Sequence, residues 1–309
     1  MHGVLLLDKP RGLSSNDALQ KCKWLLRAEK AGHTGTLDPL ATGVLPLCFG
    51  AATKFSQIQL EADKTYEAVA RLGVSTTTGD AEGEVLSRQP LGMPTPDELA
   101  AVERRLSGRQ QQVPPMYSAL KKDGKALYEY ARQGIEVERA PRDIVVHELS
   151  LRPAGDEWPQ PSVCLVARVS KGTYIRTLGE DIGRALGSGA HLLSLRRVQT
   201  GGFGIARCVA LPDFAAMTEA QRLHCLLPAQ ALLEGHTPIT LAADDAARFL
   251  SGLRRRGAWA DAPQVAVFGE RPPALLGTAR VRAGELIPLR LLSPAEIAQV
   301  IEQDMDHPS

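Results

Sequence analysis

Residues 31–55 read AGHTGTLDPLATGVLPLCFGAATKF. The stretch holds one carboxylate, Asp38, and four glycines; hydroxyls and His33 precede the acid and a long apolar run follows it. An Asp before Pro in a glycine-rich loop is ordinarily a turn residue or helix cap. Here Gly32, Gly35 and Gly43 allow tight turns and close approach of a ligand. Leu37, Leu40, Val44 and Leu45 would partly exclude water from the acid. Desolvation raises a carboxyl pKa, so such an acid needs a cation beside it to stay ionised. Arg176, in the distant KGTYIRTLGEDIG, is the candidate. A charged acid in a dry, shaped pocket is what nucleophilic or electrostatic catalysis requires.

Upstream, residues 3–7 read as a short buried strand that ends at the DKPRG turn. SSNDALQKCKWLLRA then reads as a helix capped by Ser14 or Ser15, with Leu19, Cys22, Leu25 and Leu26 at helical spacing. Downstream, TYEAVARLGV alternates as a strand does, and Tyr66, Ala68, Ala70 and Leu72 share one face. TPDELAAVERRLSG predicts a helix with Thr95 as cap, Pro96 first and Glu98 closing a capping box. SVCLVARV predicts a strand, and IRTLGEDIGRALG a helix ended by Gly187. After about residue 230 the chain turns to short strands between turns, a small, mostly β appendage with an acidic tail, EQDMDHPS, expected to fray.

The chain has 309 residues, enough for one large domain and a small one. Apolar residues make up 44% and the formal net charge is only +1, so a nucleic-acid partner has to be argued from local patches. The five cysteines form no CxxC pair, which argues against a disulfide framework or a zinc knuckle. The N-terminal apolar run is too short for a signal peptide, and no run reaches a membrane span. A cytoplasmic location and no membrane contact are expected.

GHTGTLDPLATGVLPLCFGAATKF resembles the catalytic motif of the TruB family of pseudouridine synthases. So do four other blocks, in the family's order: GVLLLDKPRGLSSNDAL, DKTYEAVARLGVSTTTGDAEG, VPPMYSALKKDGKALYEYARQGIEVERAPR and SKGTYIRTLGEDIGRALGSGAHLLSLRRVQTGGF. The resemblance runs from residue 3 to about 214 and is weaker beyond. It implies an α+β fold, a mixed and mainly antiparallel sheet in a catalytic domain over 1–230. A thumb-like insertion over about 114–142 and a PUA-like RNA-binding domain over 231–309 are implied with it. The implied reaction turns one T-loop uridine of tRNA, position 55 in tRNA numbering, into pseudouridine, with no metal, nucleotide or redox cofactor.

By the same resemblance Asp38 is the catalytic acid, attacking ribose or base or assisting departure of uracil. Tyr66, otherwise an ordinary strand aromatic, would stack on the flipped base and could serve in removing the C5 proton. Arg176 would pair with Asp38, and Tyr174 would face the same side if the segment is extended. Leu195 would pack on the base; its plain reading is a core leucine. His33 would contact RNA, and Asp80 would order groups near the cleft. The segment 114–142 interleaves Lys121, Lys122, Lys125 and three arginines with Tyr117, Tyr128 and Tyr130, a composition suited to phosphates and unpaired bases. Arg196 and Arg197 are further candidates for phosphate contact.

Two other classes compete. One is a tRNA-binding folding chaperone with catalysis secondary. The other is a glycoside hydrolase, whose chemistry normally needs two flanking carboxylates where this motif offers one. A monomer acting on tRNA without a guide RNA is expected.

Overall fold

The structure, a computed structural model, describes residues 1–271 and 273–306. Eight strands make the body of one sheet: β1 (Gly3–Lys9), β2 (Ala31–His33), β3 (Thr42–Phe49), β4 (Lys64–Leu72), β5 (Gly108–Gln112), β6 (Arg142–Pro153), β7 (Ser162–Val169) and β8 (Ala190–Thr200). Their order is β1-β3-β8-β4-β7-β6-β5, with β2 beside β3. Pairing is antiparallel except at β3–β8 and where Val209–Ala210 joins β1. The sheet is thus mixed and mainly antiparallel, and the class is α+β.

β1 and β3 are apolar without alternation because both of their faces are covered. Leu5, Leu7, Leu45, Leu47 and Phe49 pack into the main core, while Val4, Leu6, Val44 and Cys48 pack into a second cluster. β4 alternates, and its Tyr66, Ala68, Ala70 and Leu72 all join the main core. The helices over that core are α1 (Ser15–Leu25), α3 (Pro96–Leu106) and α5 (Ile175–Ala185); α2 (Ser56–Glu61) and α4 (Leu127–Ala131) are short. Two capping boxes start α1 and α3, at Ser14/Asp17 and Thr95/Glu98. Each cap contributes about 1 kcal/mol.

The β3–β8 pairing needs Gly43. It sits at φ +102, opposite Arg197, where a Cβ would collide with the Arg197 carbonyl oxygen. Gly43→Ala is expected to lower the urea midpoint by the equivalent of about 2–4 kcal/mol. An unchanged midpoint would show that the strands can separate there without cost.

The C-terminal residues form a second, five-stranded sheet: β9 (Pro238–Leu241), β10 (Ala262–Glu270), β11 (Pro273–Arg282) and β12 (Glu285–Leu291), with Arg255–Arg256 at its edge. With α6 (Ala243–Leu250) it closes a core of its own around Phe249, Val267 and Leu286. The expected frayed tail is corrected through residue 306. Pro294–Asp306 is a helix, α7, because Ser293 and Glu296 cap its start and Ile297 and Val300 pack inward. Gln303 exchanges two hydrogen bonds with the His2 backbone, and Glu296 pairs with Lys54 at 2.5 Å, so α7 is tied to the first module. Residues 307–309 of the predicted tail lie outside the described residues.

Candidate active site

The loop 34–41 carries Asp38 and is fixed from several sides. Ser14 caps α1, which leaves the Ser15 hydroxyl free to turn inward. It accepts from Leu37 N at 2.7 Å and donates to Leu37 O at 3.0 Å, clamping the residue before Asp38. Gly12 N donates to Pro39 O at 2.8 Å and Ala41 N to Asp38 O at 3.0 Å. Leu37 and Leu40 anchor the loop in the core.

Arg176 reaches this loop from the first turn of α5. Its Nε lies 2.9 Å from Asp38 Oδ2, and its Nη1 lies 3.7 Å from Asp80 Oδ2. The same guanidinium donates to Thr78 O at 2.9 Å and Tyr117 O at 2.6 Å. Its side chain is 5% exposed and Asp38's is 36% exposed, so a buried cation faces an acid that keeps an opening. Burial pushes the Asp38 carboxyl above the ordinary carboxylate range; Arg176 pulls it back, Asp80 adds to the rise, and Lys9 opposes it. Asp80 is itself held by Thr78 Oγ1 at 2.6 Å and Glu82 N at 3.0 Å.

Two cavities meet at the Asp38–Arg176 pair. The inner one, about 550 Å³, is lined by Tyr66, Leu195, Tyr174, Lys64 and Arg197 as well as by the pair. The outer one, about 560 Å³, adds His33, Asp80, Tyr128 and Arg132. His33 Nδ1 is buried without a hydrogen-bond partner, and burial, with Arg197 nearby, lowers its pKa. Tyr174 is the N-cap of α5, extended in backbone though outside any strand, and it lines the inner cavity.

The structure therefore gathers Asp38, Arg176, Tyr66, Tyr174, Leu195, His33 and Asp80. Of the other four candidates, one lines the inner cavity and three lie outside both cavities. Arg197 is 1% exposed and borders the inner cavity from within the fold. It donates to Val44 O at 2.7 Å and Gly35 O at 3.2 Å, so it is a strut beneath the Asp38 loop. Arg196 points to the other face of β8, where it makes two bonds to Asp8, at 2.7 and 3.1 Å. Lys121 and Lys122 lie on an exposed hairpin just past Leu120, which lines the inner cavity.

Three site residues escaped the sequence reading. Lys9, fully buried, donates to Pro10 O and Leu13 O, and burial lowers its pKa to about 8 against the pull of Asp38 and Glu82. Lys64 donates to three carbonyls at the end of α2, and burial brings it to about 8 as well. Gln112, on β5, accepts from Tyr174 N at 2.8 Å and donates to Tyr174 O at 3.1 Å, fixing the backbone two residues before Arg176. The DKP turn was the one available signal for Lys9; nothing local marks the other two.

Residues 23–175 match the TruB family pseudouridylate synthase N-terminal domain, and residues 176–234 the tRNA pseudouridylate synthase B C-terminal domain. A protein of Verminephrobacter eiseniae named tRNA pseudouridine synthase B is 62% identical over 304 residues, 97% of this chain and 92% of that one. The chain belongs to the TruB family. A Ralstonia nicotianae protein of the same name is 55% identical over 297 residues, 94% of each chain. As a TruB-family pseudouridylate synthase the chain is an isomerase. Among solved structures, one titled as a Cbf5-Nop10-Gar1 complex matches with a TM-score of 0.70 at 25% identity, over 96% of this chain and 86% of that one. Another, titled as an H/ACA RNP bound to a substrate RNA containing 2'-deoxyuridine, shares the fold with a TM-score of 0.69 at 23% identity, over 94% of this chain and 85% of that one. No helix among the described residues is long and apolar enough to cross a membrane.

Proposed function

We propose that this TruB-family enzyme isomerises the T-loop uridine at position 55 of tRNA to pseudouridine. The observation that carries the reading is the Asp38–Arg176 pair at the junction of two cavities, one of them walled by Tyr66 and Leu195. That the RNA is a tRNA is supported by the names of relatives up to 62% identical. A stacked loop uridine has to be flipped out to reach Asp38, at a cost of a few kcal/mol. Tyr66 and Leu195 then sandwich the uracil, and the outer cavity takes the flanking nucleotides, where the free His33 Nδ1 meets an RNA donor.

The reaction balances without a co-reactant. The N1–C1′ bond breaks, uracil turns, and C5 bonds to C1′; the C5 proton leaves and N1 takes one up. Asp38 supplies the attacking or stabilising electron pair, at C1′ or at C6. Arg176 keeps it ionised, and the apolar walls keep water from the ribosyl centre. Tyr66 is the group placed for the C5 proton. In this reading residues from about 114 to 142 form the thumb that closes on the T-arm, and residues from 231 on form a PUA-like RNA-binding module. tRNA alone is the substrate, with neither guide RNA nor cofactor, and the enzyme is a cytoplasmic monomer.

The test uses a tRNA transcript with tritium at uracil C5, and a second with cytidine at position 55. Release to water from the first alone supports the proposal. Release from both, or binding and annealing without release from either, overturns it; the latter is the chaperone reading.

The raised Asp38 pKa gives a second prediction. The working form is the carboxylate, so kcat/KM falls as pH falls through the folded-state pKa. That limb is expected above the ordinary Asp value of 3.8. A limb at or below 3.8 would mean that Arg176 outweighs burial.

A further inference from the structure

Trp24 is the most exposed large apolar residue among those described, at 78%. It lies near the end of α1, and its neighbours are basic: residues 20–30 hold Lys21, Lys23, Arg27 and Lys30 against the single acid Glu29. Gln20, Lys23, Trp24, Leu25, Arg27 and Ala28 line a cavity of about 580 Å³. Its floor is set, because Arg222 there is committed to the carbonyls of Leu25, Phe214 and Ala215. Arg27 is held at φ +49, a region that favours glycine, so the chain keeps a guanidinium where a smaller residue would sit more easily.

The same helix also borders the active-site mouth at its other end. Ser14 and Asn16 line the outer cavity that holds Asp38 and His33. Asn16, Gln20, Lys23 and Trp24 recur at spacings of four, three and one, one face of the helix, and Arg27 follows just past its C-cap. Gln20 Nε2 donates to Asn16 Oδ1 at 3.3 Å along that face. From Asn16 to Trp24 the rise is about 12 Å, a reach of a few nucleotides.

We propose that this face of α1 is a second RNA contact, taking nucleotides of the same substrate RNA beyond the target loop, with a base stacked on Trp24 and phosphates on Lys23 and Arg27. The proposal rests on RNA being the substrate. An indole beside cations is the composition that holds unpaired nucleotides without reading their sequence. A protein partner is the competing occupant; the basic surround, and a helix that lines the Asp38 cavity at one end and this one at the other, favour RNA.

The full chain has three tryptophans, so Trp158→Phe with Trp259→Phe leaves Trp24 as sole reporter. Saturating tRNA transcript is expected to quench its emission and to lower its acrylamide quenching constant several-fold. In the unaltered background, Trp24→Ala raises Kd and KM about tenfold and leaves kcat within about twofold. Lys23→Ala and Arg27→Ala each reduce the slope of log Kd against log salt by about 0.7–1. Because Trp24 is mostly exposed, its loss leaves the fold intact. Unchanged acrylamide access with tRNA bound, or an unchanged Kd in Trp24→Ala, overturns the proposal and leaves the face to a protein. If the parent itself neither binds tRNA nor releases tritium, the substrate reading falls first and this one with it.

Discussion

Asp38→Asn is expected to release tritium at least about four orders of magnitude more slowly than the parent, while binding the tRNA transcript with a similar Kd. The substitution keeps the shape of the side chain and an oxygen for Arg176 Nε, now 2.9 Å from Asp38 Oδ2. It removes the charge and the electron pair that start the reaction. The fold should not suffer. A carboxyl whose folded pKa is raised is least costly when protonated, so its ionised form lowers stability at every pH above that pKa. Asn removes that cost. The urea midpoint at pH 7 should therefore equal or exceed the parent's, and the difference should shrink as pH falls through the folded-state pKa towards 3.8, below which both forms are neutral. A stabilising loss of function would mark Asp38 as kept for chemistry. Activity within tenfold of the parent would remove Asp38 from the reaction, and a collapsed fold would assign it to structure.

What was legible in the sequence was local. The alternation of β4, the capping box at Thr95 and Glu98, and the apolar stripe of α5 each depend on residues within a few positions. Ser293 and Glu296 at the start of α7 have the same three-residue spacing, so that helix was readable too; the acidic composition of the tail masked it. Asp38 stood out because a lone carboxylate in apolar, glycine-rich surroundings is chemically odd. The fate of basic side chains was not legible. Arg196 and Arg197 are adjacent, yet one pairs with Asp8 at the surface and the other is buried under the Asp38 loop. Only the parallel pairing of β8 with β3, about 150 residues away, decides which is which. Lys9 and Lys64 are buried for the same kind of reason: carbonyl groups left over at a turn and at a helix end need donors. Gln112 holds the Tyr174 backbone across 62 positions, which no local pattern announces.

Arg176→Met should cost both activity and stability, and the split between them is informative. The side chain is 5% exposed and serves two carboxylates and two carbonyls. Removing the cation leaves Asp80, also 5% exposed, as a buried charge without its counter-ion, and Thr78 O and Tyr117 O without donors. Breaking a buried pair in this way costs about 3–5 kcal/mol, most of it from Asp80 and the carbonyls, because Asp38 is partly open to water that screens it. Asp38 also loses the influence that holds its pKa down, so the acid limb of kcat/KM moves to higher pH. Turnover falls by about a thousandfold or more. Adding Asp80→Asn removes the orphaned charge, and the double variant should regain about 1–2 kcal/mol at pH 7 without regaining activity. Arg176→Lys offers one ammonium for four acceptors, so it should recover part of the stability and little of the rate. A Met variant as stable as the parent would mean that water or another cation already compensates Asp80. A double variant that recovers activity would mean that Arg176 acts only by neutralising Asp80 and that Asp38 needs no partner to ionise.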